Sequence, residues 1–372
     1  MILSATSSAQ KHIPTDWSVT AAIPTAPGQQ QQPGLAGGIC GVSGNVLIIA
    51  GGSNFPDSLP WQGGKKKYHN DIFILSLHEN GPFSWLNNIT DTLPLPVAYS
   101  ACVSAPEGVF SVGGENEKGL LRSAMLIRWD AAGKKLRIDT LPDFPFPVTN
   151  AAAAYSGGVV YVAGGETASG VTDAFYALKM DALKHGWQKM PGLPAATSHT
   201  LLIAQRANRH TQLYLTGGRR KDRSGISKLY DQVYAFDIQE GHWHQKKSLP
   251  YPLSAGTGAA DGNDAILVFG GDKGETFHQV ETLLAAIAVE TDALKKQELI
   301  SRKNQLQINH PGFSRELLVY DTRTGKWHQA GMLPFTIPVT TTACTWGHTI
   351  LIAGGEIRAG VRTKEVITGK LH

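Results

Sequence analysis

A glutamate and an arginine six residues apart carry the clearest chemical potential in this sequence. They lie on the stretch Gly354-Gly355-Glu356-Ile357-Arg358-Ala359-Gly360-Val361-Arg362. A carboxylate beside a guanidinium can serve as a general base while the guanidinium anchors an anionic substrate. An ion pair that merely holds the loop would have the same sequence, and both readings stand at this level. Glutamate follows Gly-Gly at Glu115 and Glu166 too, but only after Glu356 does an arginine follow six residues on, past Gly360. A second stretch, Ser53 to Asp71, combines Asn54, Phe55, Lys66 and His69. That mixture suits a polar, anionic, ring-shaped ligand, because sugar rings stack on aromatic faces and hydrogen-bond to Asn, Lys and His. An ordered surface loop is the competing reading.

Other chemistries lack their residues. No His-x-x-x-His, Cys-x-x-Cys or clustered carboxylates suggest a metal, and no Gly-x-x-x-x-Gly-Lys-Ser/Thr loop suggests a nucleotide, so neither metal nor cofactor is expected. The 13 histidines are scattered. His185, His242, His244 and His328 lie near tryptophans and read as surface, whereas His199 is placed near the centre of the fold described below. The net charge of +4 is too mild and dispersed for a nucleic-acid partner, and Lys65-Lys66-Lys67 reads as a solvated loop. No apolar run approaches the ~18–20 residues of a membrane span. The stretch Met1–Trp17 lacks the basic start and apolar core of a signal peptide, which leaves the compartment open. Cys40, Cys102 and Cys344 lie 11, 11 and 10 residues before a Gly-Gly pair. They read as small buried residues at equivalent positions of a repeat.

That repeat supplies the elements that must position the chemistry. With 42% hydrophobic and 17% charged residues, 41 glycines and 20 prolines, the chain suits many short strands joined by turns. Gly-Gly follows a short apolar run six times, with pairs starting at 51, 113, 164, 217, 270 and 354. A second apolar strand, a tryptophan and a Leu-Pro or Met-Pro step usually follow, as in Val233-Tyr234-Ala235-Phe236, Trp243 and Leu249-Pro250. Four-stranded meanders repeating about every fifty residues stack radially as propeller blades. The expectation is an all-β, six-bladed β-propeller forming a single domain over residues 1–372. The last repeat is one strand short, so residues 16–24, which carry Trp17, are expected to complete the last blade and close the ring.

The spacing of 84 between the fifth and sixth pairs is too long. Within the excess, residues 275–312, Val280, Leu283, Leu284, Ile287 and Ala288 recur with helical period, so a helical insertion in the fifth repeat is expected. In an up-and-down blade the loops after Gly-Gly share a face with the crossings between blades. The insertion therefore caps the same face as the Glu356–Arg362 and Asn54–His69 loops. Residues that begin each innermost strand, Tyr99, Asn150, His199 and Ser254, are expected at the channel mouth beneath it.

On these residues the chain resembles the kelch-repeat, cyclically permuted mutarotase family, the group of the bacterial N-acetylneuraminate epimerases. Gly-Gly-Glu-Ile-Arg-Ala-Gly-Val-Arg-Thr at 354–363 is similar to that family's Gly-Glu-x-x-x-Gly-x-Arg-Thr stretch. The Gly-Gly-Ser-Asn-Phe loop ending in Gly-Gly-Lys-Lys-Lys-Tyr-His-Asn-Asp and the helical insertion before the Glu-Arg blade match as well. The order around the ring is kept with different chain ends, a circular permutation, and the sixth loop reads Gly-Gly-Glu where the family has Asn-Gly-Glu. The resemblance implies an isomerase that interconverts the α and β anomers of N-acetylneuraminic acid, with a small sugar acid as its partner and a periplasmic location, the cytoplasm being the alternative. It implies Glu356 in proton transfer and Arg362 on the substrate carboxylate, with Asn54, Phe55, Lys66, His69, Asn150 and His199 positioning the sugar. Two other functions weighed against this are a non-catalytic kelch module binding a protein or glycan through the same face, and a copper oxidase, for which no Tyr/Cys/His set can be placed at the channel. The oligomeric state is not legible.

Overall fold

The computed structural model describes residues 16–79, 81–87, 91–207 and 210–371. The stretch Met1–Thr15, part of the segment read above for a signal peptide, lies outside the described residues. Six four-stranded antiparallel sheets form the blades of a β-propeller, as the repeat predicts. Their innermost strands are Ile39–Ser43, Ala101–Ala105, Ala152–Ser156, Leu201–Ala207, Thr257–Asp261 and Ala343–Trp346 in blades I to VI. Each touches its neighbour, and the sixth touches the first. Because the inner strands converge, they carry Ala, Gly, Ser and Thr around the axial channel. The apolar core lies instead between blades, where Ile48, Ile72 and Ile74 of blade I pack on Val109 and Ile127 of blade II. Cys40 and Cys102 meet across that seam, the Cys102 thiol donating to the Cys40 carbonyl at 3.0 Å.

The Gly-Gly signal has a steric cause. Both glycines of every pair have positive φ. A Cβ on Gly113 would lie 2.3 Å from the Val148 carbonyl oxygen of the next blade, and Gly114 N–H donates to that same oxygen at 2.7 Å. The outer-strand tryptophans lock blades in the opposite direction: Trp187, Trp243 and Trp327 donate their indole N–H to Pro142, Pro191 and Lys247 carbonyls of the preceding blade.

Blade VI is completed from the other end of the chain. The N-terminal strand Asp16–Ala22 pairs antiparallel with Glu365–Lys370, Asp16 opposite Lys370 and Ala22 opposite Glu365. Trp17 takes the outer-strand tryptophan position, its ring edge-on to Phe269 of blade V at 5.3 Å.

After the fifth Gly-Gly pair the chain forms α1 (Glu275–Val289) and α2 (Ala293–Ile308), which pack on each other. Elsewhere the same position carries a short hairpin, such as Glu356–Arg358 with Val361–Arg362. The helix pair is anchored on blade IV by buried Glu281, whose carboxylate accepts from Ser227 N–H at 2.7 Å and Ser227 Oγ at 2.8 Å. Among the described residues no helix is long and apolar enough to cross a membrane.

Candidate active site

The floor of the site is a backbone belt. Gly37, Tyr99, Asn150, His199, Ala255 and Thr340 occupy equivalent positions just before the inner strands, and all six have left-handed φ between +51° and +65°. For a non-glycine residue this conformation costs about 1–2 kcal/mol. Hydrogen bonds between neighbours offset it. Tyr99 N–H donates to Gly37 O, Asn150 to Tyr99 O, His199 to Asn150 O, Ala255 to His199 O and Gly37 to Thr340 O, at 2.7–3.1 Å. Tyr99, Asn150 and His199 are thus at the channel mouth, while in the fifth repeat Ala255 holds the equivalent place. Ser254 sits one residue earlier, where its backbone bridges Asp272.

Above the belt lies a cavity of about 470 Å³, within the range of sites that enclose a small molecule. Lys66, Glu115, Glu166, Arg219, Asp272, Glu356 and Arg362 form its wall, and Phe277, Val280, His310 and Phe313 close over it from the helical insertion. The insertion is therefore part of the site.

Glu356 and Arg362 face each other across their own hairpin. Glu356 Oε1 accepts from Gly360 N–H at 2.7 Å, and Oε2 is paired with Arg362 Nη1. The arginine side chain is only 6% exposed and the glutamate 18%. Phe55 lies under the guanidinium at 5.2 Å. Among the described residues Arg362 Nη2 makes only a long 3.5 Å contact to the Tyr99 hydroxyl, and the buried Nε–H has no hydrogen-bond partner. The Nε–Nη2 edge, the one that suits a bidentate carboxylate, is thus poorly satisfied. Gly360 is required here: its φ is +72°, and a Cβ would meet Pro60 Cδ at 2.9 Å and Trp61 at 3.0 Å. That contact joins the sixth and first loops, from opposite ends of the sequence.

Across the cavity, Glu166, His199 and Arg219 form a chain. Arg219 Nη2 donates to His199 Nε2 at 3.1 Å, so the ring proton sits on Nδ1, 3.3 Å from Glu166 Oε1 and 3.1 Å from Ser198 Oγ. Burial first, and then the adjacent Arg219 charge, depress the His199 pKa, outweighing the pull of Glu166. Burial would raise the Glu166 carboxyl, but His199, Ser198 and Arg219 together hold it at about 2. With both ring nitrogens engaged, His199 is a fixed support for Arg219, which stacks under Phe277 at 4.6 Å.

The first loop divides. Lys66 lines the cavity, donating to Glu115 at 3.2 Å and lying 4.9 Å from the Tyr99 ring centre, and Tyr68 donates to the same Glu115 oxygen at 2.6 Å. Asn54 and His69 are not brought to the cavity. They are buried against one another, Asn54 Oδ1 to His69 Nε2 at 2.9 Å, and Asn54 Nδ2 donates to Gly34 O at 3.0 Å. They fix the loop that carries Phe55 and Lys66.

His310 is a cavity residue the sequence reading misses. Its Nδ1 accepts from Gly312 N–H at 3.0 Å, which leaves the ring proton on Nε2. Burial lowers its pKa, so the neutral ring dominates near neutrality. The only sequence signal is the His310-Pro311-Gly312-Phe313 turn, where the insertion returns to the blade.

Comparison with known sequences adds an independent finding. The family described as N-acetylneuraminate epimerase matches residues 4–138 and 141–372. A protein named N-acetylneuraminate epimerase from Yersinia pestis (strain Pestoides F) is 28% identical over 263 residues, 68% of this chain and 64% of its own. Proteins of the same name from Haemophilus influenzae (strain 86-028NP) and Vibrio vulnificus (strain YJ016) are 26% and 24% identical, over 62% and 61% of this chain and 59% and 58% of theirs. The matched part of the chain thus spans about three fifths of the length of these curated relatives.

Proposed function

The chain belongs to the N-acetylneuraminate epimerase family, and from that premise we propose that it interconverts the α and β anomers of N-acetylneuraminic acid by acid–base ring opening. One observation carries this reading: Glu356 and Arg362 are in contact at the wall of a capped polar cavity. In this sugar acid the carboxylate is attached to the anomeric carbon itself. The base that takes the anomeric hydroxyl proton and the group that anchors the carboxylate must therefore be neighbours.

The reaction needs a base, an acid and a held carboxylate. Glu356 accepts the anomeric O–H proton as the ring C–O bond breaks, and that proton is passed on through water to the ring oxygen. The open-chain keto acid rotates about the bond to its carbonyl carbon and recloses on the other face with the proton transfers reversed. Arg362 offers its Nε–Nη2 edge to the carboxylate, replacing the long Tyr99 contact and satisfying the buried Nε–H. His310, with its proton on Nε2, is suited to donate a hydrogen bond to the ring oxygen as negative charge develops there. Lys66, Asn150 and Arg219 line the remaining wall and position the sugar. Phe55, Asn54 and His69 act one layer behind, holding Arg362 and the first loop, and His199, which itself lines the cavity, holds Arg219. The helical cap over a polar cavity favours this small-molecule reading over a flat surface for a protein partner.

NMR of a non-equilibrium anomer mixture tests the proposal. The protein should accelerate equilibration of the sialic acid and leave a neutral N-acetylhexosamine at its spontaneous rate. No acceleration of the sialic acid overturns the reading. Arg362→Lys keeps the charge but loses the planar fork, and should raise KM about tenfold to a hundredfold, the loss of a charged hydrogen-bond pair.

A further inference from the structure

On the rim of blade IV, away from the cavity, three side chains converge. Glu240 lies in the turn before the outer strand His242–Gln245, and His242 and His244 project from that strand on one face. One donor atom from each lies within 4.8 Å of the other two. Glu240 Oε2 is 3.3 Å from His242 Nε2 and 2.8 Å from His244 Nε2. Ligands held about 2.0–2.1 Å from a tetrahedral zinc ion are separated by about 3.3 Å along each edge, so the spacing is close to a coordination shell before any ion enters.

A second observation points to a cation. His242 Nδ1 lies 3.1 Å from the Glu240 carbonyl oxygen, which fixes the proton on Nδ1 and leaves the Nε2 lone pair available. This is the orientation that metal-bound histidines adopt through an outer hydrogen bond. It also aims that lone pair at the Glu240 carboxylate.

The surrounding hairpin holds the arrangement. His242 and His244 are paired opposite Asp237 and Ala235. Trp243 points the other way, its rings 5.2 Å from those of Phe175 and Phe236 and its N–H donated to Pro191 O. The Asp237 carboxylate accepts from Gln239 N–H and Glu240 N–H at 2.9 and 3.1 Å, and Gly241 turns the chain with φ +75°.

We propose that Glu240, His242 and His244 form a zinc-binding site on the rim of blade IV, with the fourth coordination position left to water. Two imidazoles and one carboxylate select a borderline-soft divalent ion over calcium or magnesium. The site would tie the turn to the outer strand. It stands independently of the sugar chemistry.

Isothermal titration of the whole, metal-stripped chain with zinc chloride tests it, run at neutral pH in two buffers of different ionisation heat. The expected result is saturable one-to-one binding with proton release, because metal ligands bind in their deprotonated forms. Zinc should also raise Tm. His242→Gln and His244→Gln should each weaken binding about a hundredfold, at least as much as loss of an outer-shell partner, which costs ~10–100-fold. The double variant should bind no zinc and keep the zinc-free Tm of the wild type, since both side chains are exposed. Absence of saturable binding in the wild type overturns the proposal. Undiminished binding in the double variant overturns it too, because the ion would then sit on other histidines.

Discussion

His199 sits in the candidate site with both of its ring nitrogens already engaged. Arg219 and Glu166 occupy its two nitrogens, and burial together with Arg219 lowers its pKa. The unfolded chain takes up a proton near the ordinary value of 6.5 while the folded one resists it, so stability falls as pH drops below that value. Glu166 adds a further loss as pH falls from 4.5 toward about 2, because its folded carboxyl is the more acidic. Thermal unfolding across this range should show both phases, and His199→Gln should flatten the first. At this scale the sequence is legible where chemistry is concentrated on one loop, as at Glu356 and Arg362. It points Asn54 and His69 at the sugar, whereas they bond to each other away from the cavity, because that contact depends on how a long loop folds back. It is silent at His310, which reaches the cavity only through the path of two inserted helices.

The hairpin carrying Glu356 works because its neighbour leaves room for nothing larger than a hydrogen at Gly360. Gly360→Ala would introduce a Cβ against Pro60 and Trp61 at positive φ, a strain of about 1–3 kcal/mol. Gly360 N–H also holds the Glu356 carboxylate, so relief of the strain moves the carboxylate proposed to take the proton. The variant should lose turnover more than stability. The comparison of kcat with the urea midpoint checks this, and equal losses would make Gly360 a purely structural glycine. The Gly-Gly repeats are legible in the sequence because each neighbouring blade enforces them through a carbonyl contact. The positions of Tyr99, Asn150 and His199 in the belt beneath the cavity are legible from the repeat, but its left-handed backbone is not, since these residues, Ala255 and Thr340 carry no shared residue type to announce it.

The site exists only in the closed ring. Its wall draws on the first and last loops of the sequence, which the pairing of Asp16–Ala22 with Glu365–Lys370 keeps in register. Trp17 secures that strand against Phe269. Because it is half-buried, Trp17→Ala should cost about 2 kcal/mol, below the ~3–5 kcal/mol of a fully buried aromatic, read from urea unfolding. Closure is legible from an orphan tryptophan strand at one end and a missing strand at the other. The cap is legible from the overlong spacing, although its anchoring on Ser227 through Glu281 is not, because that bond joins two successive repeats at positions no shared motif marks. The whole assembly serves, in this account, to present one carboxylate to an anomeric hydroxyl. NMR-monitored anomer exchange of N-acetylneuraminic acid by Glu356→Gln measures that claim most directly. The account predicts a rate lower by about a hundredfold or more in a protein that unfolds at the wild-type temperature; exchange as fast as wild type would contradict it.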